Sequence, residues 1–263
     1  MLQLHAIRAV LFDMDGVLYR GHQALAGVGE LLAFLDGRGI GYACITNNAS
    51  MTPGQYEEKL AAMGIRMPAD RVVTSAIAAG AALRAEYPRG TRAFIVGMRG
   101  LREALLADGH FVEDDTLPEL VVQGADFALT YETLRRATLH IRGGARYVAT
   151  NPDRTFPSEE GLIPGAGAIM AALVAATDVE PTVIGKPAPA MFLVAAAQLG
   201  AAPAATLVIG DRLDTDIAGA IAAGMPSALV LTGVNTAAEA EAGPARPDAI
   251  FADLPALLRA WRG

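Results

Sequence analysis

Two stretches of this chain carry no charge at all, Ala190 to Gly210 and Ile217 to Val234, and what they become decides the architecture. Their lengths approach the ~20 residues that a membrane-spanning helix needs. Each is broken inside, however, by Gly200 and Pro203 in the first and by Gly224 and Pro226 in the second. Each therefore divides into an apolar helix, a tight turn and an apolar strand. A strand that is apolar along its whole length is buried on both faces, as in a parallel sheet with helices above and below.

The same alternation runs through the rest of the sequence. Ala9–Phe12 reads as a strand and Gly27–Gly37 as a helix stopped by glycine; Ile40–Ile45 is the next strand. Pro53–Met63 is a helix with proline at its first position, Val72-Val73 a short strand, and residues 75–87 another helix. Toward the other end, helices are expected over Ala190–Leu199 and Asp216–Ala223, with strands over Thr206–Ile209, Ala228–Leu231 and Ile250-Phe251; an amphipathic helix Leu254–Trp261 closes the chain. This pattern predicts an α/β fold with a doubly wound parallel sheet. Between the halves lies a second alternating set, with strands at Ala93–Val96, Leu120–Val122 and Tyr147–Ala149 and helices at Leu101–Ala107 and Tyr131–Ile141. At 263 residues the chain suits one domain carrying an insertion. The expected division is residues 1–87 and 181–263 for the core and 88–180 for an inserted α/β domain.

Composition narrows the function classes. An apolar fraction of 52% supplies a large core, and the net charge of −7, mixed along the chain, disfavours nucleic acid or an anionic membrane as partner. The single cysteine, Cys44, excludes an internal disulfide and suits a reducing, cytoplasmic setting. Acidic Asp13 and Asp15 interrupt the only early apolar stretch, so no secretory leader is expected. His5, His22, His110 and His140 lack metal-binding spacing. Gly165-Ala166-Gly167 and Gly97-Met98-Arg99-Gly100 fall short of a dinucleotide fingerprint and read as turns.

Four stretches deliver polar groups at or beside the end of an apolar strand, where open α/β sheets bind ligands. They are Asp13-Met14-Asp15-Gly16, Thr46-Asn47-Asn48, Gly185-Lys186-Pro187 and Gly210-Asp211-Arg212-Leu213-Asp214-Thr215-Asp216. Side chains at i and i+2 of a strand share a face, and two like charges at ~4 Å repel by roughly 4 kcal/mol at an effective dielectric of 20. Asp13 and Asp15 thus call for a cation between them, or for a proton on one of them. Each stretch also has an ordinary reading: an Asp-rich turn, a helix cap at Thr46, a solvated Lys186, an N-cap at Asp214 or Asp216.

Taken in order, the four stretches resemble the motifs of the haloacid dehalogenase-like (HAD) phosphohydrolases. Thr74-Ser75-Ala76, Thr150-Asn151-Pro152-Asp153 and the Gly-rich run 161–167 add a resemblance to the class IIA branch, with its nitrophenyl-, phosphoglycolate, pyridoxal phosphate and glycerol phosphate phosphatases. The resemblance implies a Rossmann-like core with a cap at the insertion, and Mg²⁺-dependent hydrolysis of a small phosphorylated metabolite. Asp13 would be the nucleophile that forms an aspartyl phosphate, and Asp15 the general acid and base. Mg²⁺ would be held by Asp13, the Asp15 carbonyl and Asp211, with Asp216 orienting a bound water or the lysine. Lys186, Thr46 and Asn47, with Asn48 beside them, would meet the phosphoryl oxygens. Asn151 and Asp153 are candidates for substrate selection, or form a plain turn. Arg212 and Asp214 receive no role. Members of this branch often pair through their caps, which implies a homodimer.

Two readings from other classes stay open on sequence alone. Receiver domains also combine acidic residues, a Thr and a Lys on a doubly wound sheet, and a phosphoprotein persisting without turnover would favour such a switch. A catalytically silent phosphometabolite-binding protein would be favoured by inertness toward a panel of phosphoesters with Mg²⁺ present.

Overall fold

The computed structural model describes residues 2–158 and 160–263. The chain divides into two compact units. The first comprises residues 1–46, 54–73 and 186–263, and the second residues 47–53 and 74–185.

In the first unit, Ala9–Phe12 becomes the inner strand of a six-stranded sheet because all four of its side chains are apolar and fully buried. The order across the sheet is Ala249–Phe251, Ser227–Val230, Thr206–Gly210, Ala9–Phe12, Gly41–Thr46, Val72–Thr74. Ala9–Phe12 pairs in parallel with Thr206–Ile209 on one side and with Gly41–Cys44 on the other. The chain thus builds outward from the first strand in one direction and returns late to fill the other. The reversal falls between Ala9–Phe12 and Thr206–Gly210, the topological switch point where α/β sheets open a crevice. Because Phe12 lies opposite Ile209, Asp13 and Asp211 leave the sheet at neighbouring places on the same edge.

Helices cover the strands as the apolar runs require. Phe192, on the helix Ala190–Gln198, is fully buried, and a Cβ on Gly219 would fall 2.2 Å from its ring. Asp253 caps the last helix, Leu254–Arg262, by accepting from the Ala256 N–H at 2.7 Å, and Leu254, Leu257, Leu258 and Trp261 form its buried face.

The expected helix Asp216–Ala223 begins differently. Leu213–Ile217 is a π-helical turn, with the Arg212 carbonyl accepting from both Asp216 and Ile217, and an α-helix follows only over Ala218–Ala222. Such wide turns are rare outside functional segments.

The second unit has its own five-stranded sheet, ordered Thr182–Val183, Arg146–Ala149, Leu120–Gln123, Thr91–Val96, Phe111–Glu113, with parallel pairings. Phe94, Val96, Val121, Tyr147, Ile169 and Leu173 make its core. The helix Ser75–Glu86, which the expected division gave to the core, packs in this unit. Gly80 lets it approach Ala104, and Arg84 donates to the Ala104 carbonyl at 2.8 Å. A hairpin of Thr155–Ser158 and Gly161–Pro164 was not expected, since Pro157, Gly161 and Pro164 give it the look of a loop. Among the described residues, no helix is long and apolar enough to cross a membrane.

Phe192→Ala is expected to lower the unfolding free energy by about 3–5 kcal/mol, as deletion of a buried aromatic does. A urea titration checks this, and a midpoint equal to that of the parent would show the helix is not packed as described.

Candidate active site

The charged groups of the first unit converge because glycines make room for them. After Phe12 the chain turns tightly: Leu18 donates to the Met14 carbonyl at 2.8 Å, and Gly16 to the Tyr19 carbonyl at 2.8 Å. Gly16 has φ +77°, which favours glycine. A Cβ there would also meet Asp211 Oδ2 at 2.6 Å, and one on Gly233 would meet the same oxygen at 1.9 Å. Two backbone loops therefore close on Asp211, and the Val234 N–H donates to its Oδ2 at 2.8 Å. Asp216 is fully buried, and its Oδ2 accepts from the N–H groups of Asp211 and Arg212 at 3.2 and 3.1 Å. It is thus locked into the π turn rather than capping a helix.

Lys186 sits in the middle of this cluster, only 4% exposed. It donates to Asp216 Oδ1 at 2.7 Å and to Asp13 Oδ1. Burial alone would lower the lysine's pKa, but Asp13 and Asp216 outweigh it and hold the ammonium charged. Burial raises Asp13 to about 8; Asp216 and Asp211 push the same way, while Lys186 opposes them. Burial and Asp216 raise Asp211 to about 6. Asp13, Asp211 and Asp216 each bring an oxygen within 4.8 Å of the others. Three carboxylates thus share one ammonium.

Asp216 has both oxygens engaged by the lysine and the backbone. Asp211 Oδ1 is buried with no hydrogen-bond partner among the described residues. A buried, unsatisfied carboxylate oxygen is costly, and a hard cation with oxygen ligands would satisfy it. The residues present fit a divalent ion.

Asp15 keeps contact with solvent, and its Oδ2 accepts from the Tyr19 hydroxyl at 3.2 Å. Desolvation by the surrounding protein raises its carboxyl, with the Lys59 ammonium and the Tyr19 hydroxyl pulling the other way. Thr46 ends the strand Gly41–Thr46 in the same unit.

Asn47, Asn48, Asn151 and Asp153 belong to the second unit. Asn47 donates from Nδ2 to Asp153 Oδ1 at 3.2 Å, and the Asn47 carbonyl accepts from Asn151 Nδ2 at 2.6 Å and from Ser75 Oγ at 2.5 Å. Asn151 Oδ1 in turn accepts from the Asp153 N–H at 3.1 Å. Asn48 Oδ1 accepts from the N–H and hydroxyl of Ser50 at 2.8 and 2.7 Å. The glycines dismissed as dinucleotide motifs hold these loops. A Cβ on Gly165 would fall 2.4 Å from the Asp153 carbonyl, one on Gly167 2.2 Å from that of Pro152, and one on Gly100 2.4 Å from that of Met51.

Arg212 and Asp214 form a two-point ion pair at 3.0 and 2.8 Å. The sequence reading missed Tyr19, Lys59 and Gly233, and the close backbone approach that Gly210 permits. For the glycines no local signal distinguishes close approach from an ordinary turn. For Lys59 the signal is the rarity of lysine in the whole chain.

Residues 10–110 match the sequence model of the haloacid dehalogenase-like hydrolases, and residues 183–257 match a second, HAD-hydrolase-like model. An acid sugar phosphatase of Staphylococcus saprophyticus is 36% identical over 252 residues, covering 96% of this chain and 97% of its own. A 4-nitrophenylphosphatase from Thermotoga maritima superposes with a TM-score of 0.92 at 37% identity, covering 98% of both chains. A glycerol phosphate phosphatase from Mycobacterium tuberculosis, solved in complex with magnesium, gives a TM-score of 0.89 at 39% identity, covering 97% of this chain and 78% of that one.

Asp211 and Asp13 hold their protons to higher pH in the fold than in the unfolded chain, where carboxylates ionise near 3.8. Their neutral forms stabilise the fold at low pH, and that contribution is lost as pH rises through about 6 and then about 8. In EDTA, the melting temperature is expected to be lower at about pH 8.5 than at about pH 5.5, and excess Mg²⁺ to remove most of the difference. A metal-free protein that grows more stable over this interval would contradict the electrostatics described.

Proposed function

This chain belongs to the haloacid dehalogenase-like hydrolases, in the class IIA nitrophenylphosphatase branch, and is a phosphoric monoester hydrolase, and we propose that it cleaves small phosphorylated metabolites through an aspartyl phosphate on Asp13. The observation that carries this reading is the convergence of Asp13, Lys186, Asp211 and Asp216 at the switch point of the sheet.

An oxygen of Asp13 forms a bond to phosphorus while the bond from phosphorus to the leaving oxygen breaks. Asp15 gives its proton to that leaving oxygen. It then takes a proton from water, whose oxygen attacks phosphorus and breaks the bond to Asp13, releasing inorganic phosphate. Lys186 holds Asp13 in place and neutralises the transferring phosphoryl group, and Thr46 and Asn47, with Asn48 beside them, donate hydrogen bonds to its oxygens. Mg²⁺ would be held by Asp13, the Asp15 carbonyl and Asp211, and when bound supplies positive charge against which nucleophile and phosphoryl group can approach. The Asp211 oxygen, without a partner among the described residues, and the magnesium in the M. tuberculosis relative's structure both support that choice of ion.

The names of the relatives point to sugar or polyol phosphates as the substrate class. In our reading the second unit is the cap, and Asn151 and Asp153 select the leaving group. A second copy of the chain would pair through this unit, for which Tyr131 and Leu139, exposed at 82% and 55% on one helix, are suited. The lone buried Cys44 is consistent with work in the cytoplasm.

Asp13→Asn is expected to lower Mg²⁺-dependent phosphate release by more than about 10³-fold, with an unchanged or higher melting temperature because one of three crowded carboxyl groups is replaced by a neutral amide of the same shape. Undiminished release would reject Asp13 as nucleophile. A panel of sugar phosphates, glycerol phosphate, phosphoglycolate, nucleotides and pyridoxal phosphate tests the substrate class.

A further inference from the structure

Of the 21 basic residues in this chain only two are lysine, Lys59 and Lys186. Everywhere else the chain uses arginine. Lys186 is the ammonium on Asp13. Lys59 stands on the helix Pro53–Ala62 and reaches the other aspartate of the pair through one intermediary. Its Nζ donates to the Tyr19 hydroxyl at 3.1 Å, and that hydroxyl donates to Asp15 Oδ2 at 3.2 Å.

The placement is not that of a solvated amine. A lysine on a helix surface normally runs its stem along the protein and sends its charge to water. Here Nζ lies 4.5 Å from the centre of the Tyr19 ring and 6.0 Å from that of Tyr56, within cation–π range of both. Tyr19 is only 2% exposed, and a buried phenol needs a partner for its hydroxyl. The backbone fixes where that hydroxyl points: Tyr19 donates to the Met14 carbonyl at 3.2 Å and accepts from Gly16 at 2.8 Å, folding the residue back beside Asp15.

The order of donors has a chemical consequence. An ammonium can only donate, so the phenol oxygen accepts from Lys59, and its single proton goes to Asp15 Oδ2. A carboxylic acid accepts best at its carbonyl-type oxygen. We propose that Lys59 and Tyr19 are positioning residues of the hydrolysis, pinning Oδ2 of Asp15 as acceptor and so leaving its proton on Oδ1, the oxygen that serves the leaving group. The 3.2 Å contact is longer than a usual O–H···O bond, as catalytic contacts often are before substrate binds.

This inference rests on Asp15 being the general acid, and the test separates the two. The measured quantity is kcat/KM, which reports only the steps up to formation of the aspartyl phosphate. It is determined for full-length protein with Mg²⁺, on glycerol phosphate, whose alkoxide needs a proton to leave, and on 4-nitrophenyl phosphate, whose phenolate needs far less help. Lys59→Met and Tyr19→Phe are expected to lower kcat/KM for glycerol phosphate by about 10–100-fold and for the aryl ester by a smaller factor of about 3, below the full 10²–10⁴-fold that general acids supply. Asp15→Asn should show the same bias more strongly. If Asp15→Asn discriminates while both other variants lower the two substrates equally, or neither, the positioning role is overturned and the acid assignment stands. If Asp15→Asn itself lowers both equally, the acid assignment fails and the inference with it. Tyr19→Phe keeps the buried ring, so it remains informative should Lys59→Met fold poorly.

Discussion

Positive charge is scarce at the centre of the first unit, and most of the local structure follows from that shortage. Three aspartates crowd around one ammonium, with an oxygen from each within 4.8 Å of the others. Each like-charged pair at such range repels by roughly 4 kcal/mol at an effective dielectric of 20. The protein answers in part with its backbone: the N–H groups of Asp211 and Arg212 on Asp216, and that of Val234 on Asp211. Those contacts require the backbone to come very close, which is why glycine stands at 16, 210 and 233. The π turn at Leu213–Ile217 belongs to the same solution, since it turns the Asp216 carboxylate back under the strand end. What the backbone leaves unanswered, an oxygen of Asp211 and a net excess of negative charge, is the opening for a divalent ion.

The division of the chain keeps this charge balance apart from the loops proposed to select substrate. The second unit has its own sheet and core, and its asparagine network rests on glycines at 100, 165 and 167. Yet two of the peptide bonds where the chain passes between units are Thr46–Asn47 and Gly185–Lys186. Each joins a proposed phosphoryl contact of the first unit directly to a residue of the second.

Most of the core was legible because a doubly covered parallel sheet writes itself as short, wholly apolar runs. Ala9–Phe12 and Thr206–Gly210 are of that kind, and the polar residues that follow them are the cluster itself. The unread parts share a physical cause, in that they depend on contacts between distant segments. Asn47 is one residue from Thr46 in sequence, but its hydrogen bonds go to Asp153 and Asn151, some hundred positions away. Ser75–Glu86 reads like any other helix of the core, and only its close approach to Ala104 through Gly80 assigns it to the second unit. The sequence starts a plain helix at Asp216 and gives no sign of the π turn before it, because apolar spacing does not register one inserted residue. Lys59 stands in no motif, and its signal lies in composition.

That compositional signal bears on the chemistry as well. Arginine spreads its charge over a planar fork with five donors, while lysine concentrates it on a small ammonium at the end of a flexible stem. At 4% exposure, between two carboxylates, the site at 186 holds a compact point charge rather than a planar fork. Beside Tyr19 the requirement is similar, because one small cation must reach the phenol oxygen while staying near the ring face. A chain that meets its surface needs with arginine has kept lysine at the two places where compactness matters. Both places adjoin the aspartate pair Asp13 and Asp15. One ammonium restrains the carboxylate proposed to attack phosphorus, and the other, through a tyrosine, restrains the carboxyl proposed to move the proton. The two proposed halves of the reaction are thus held by the same kind of cation, one from each half of the sequence.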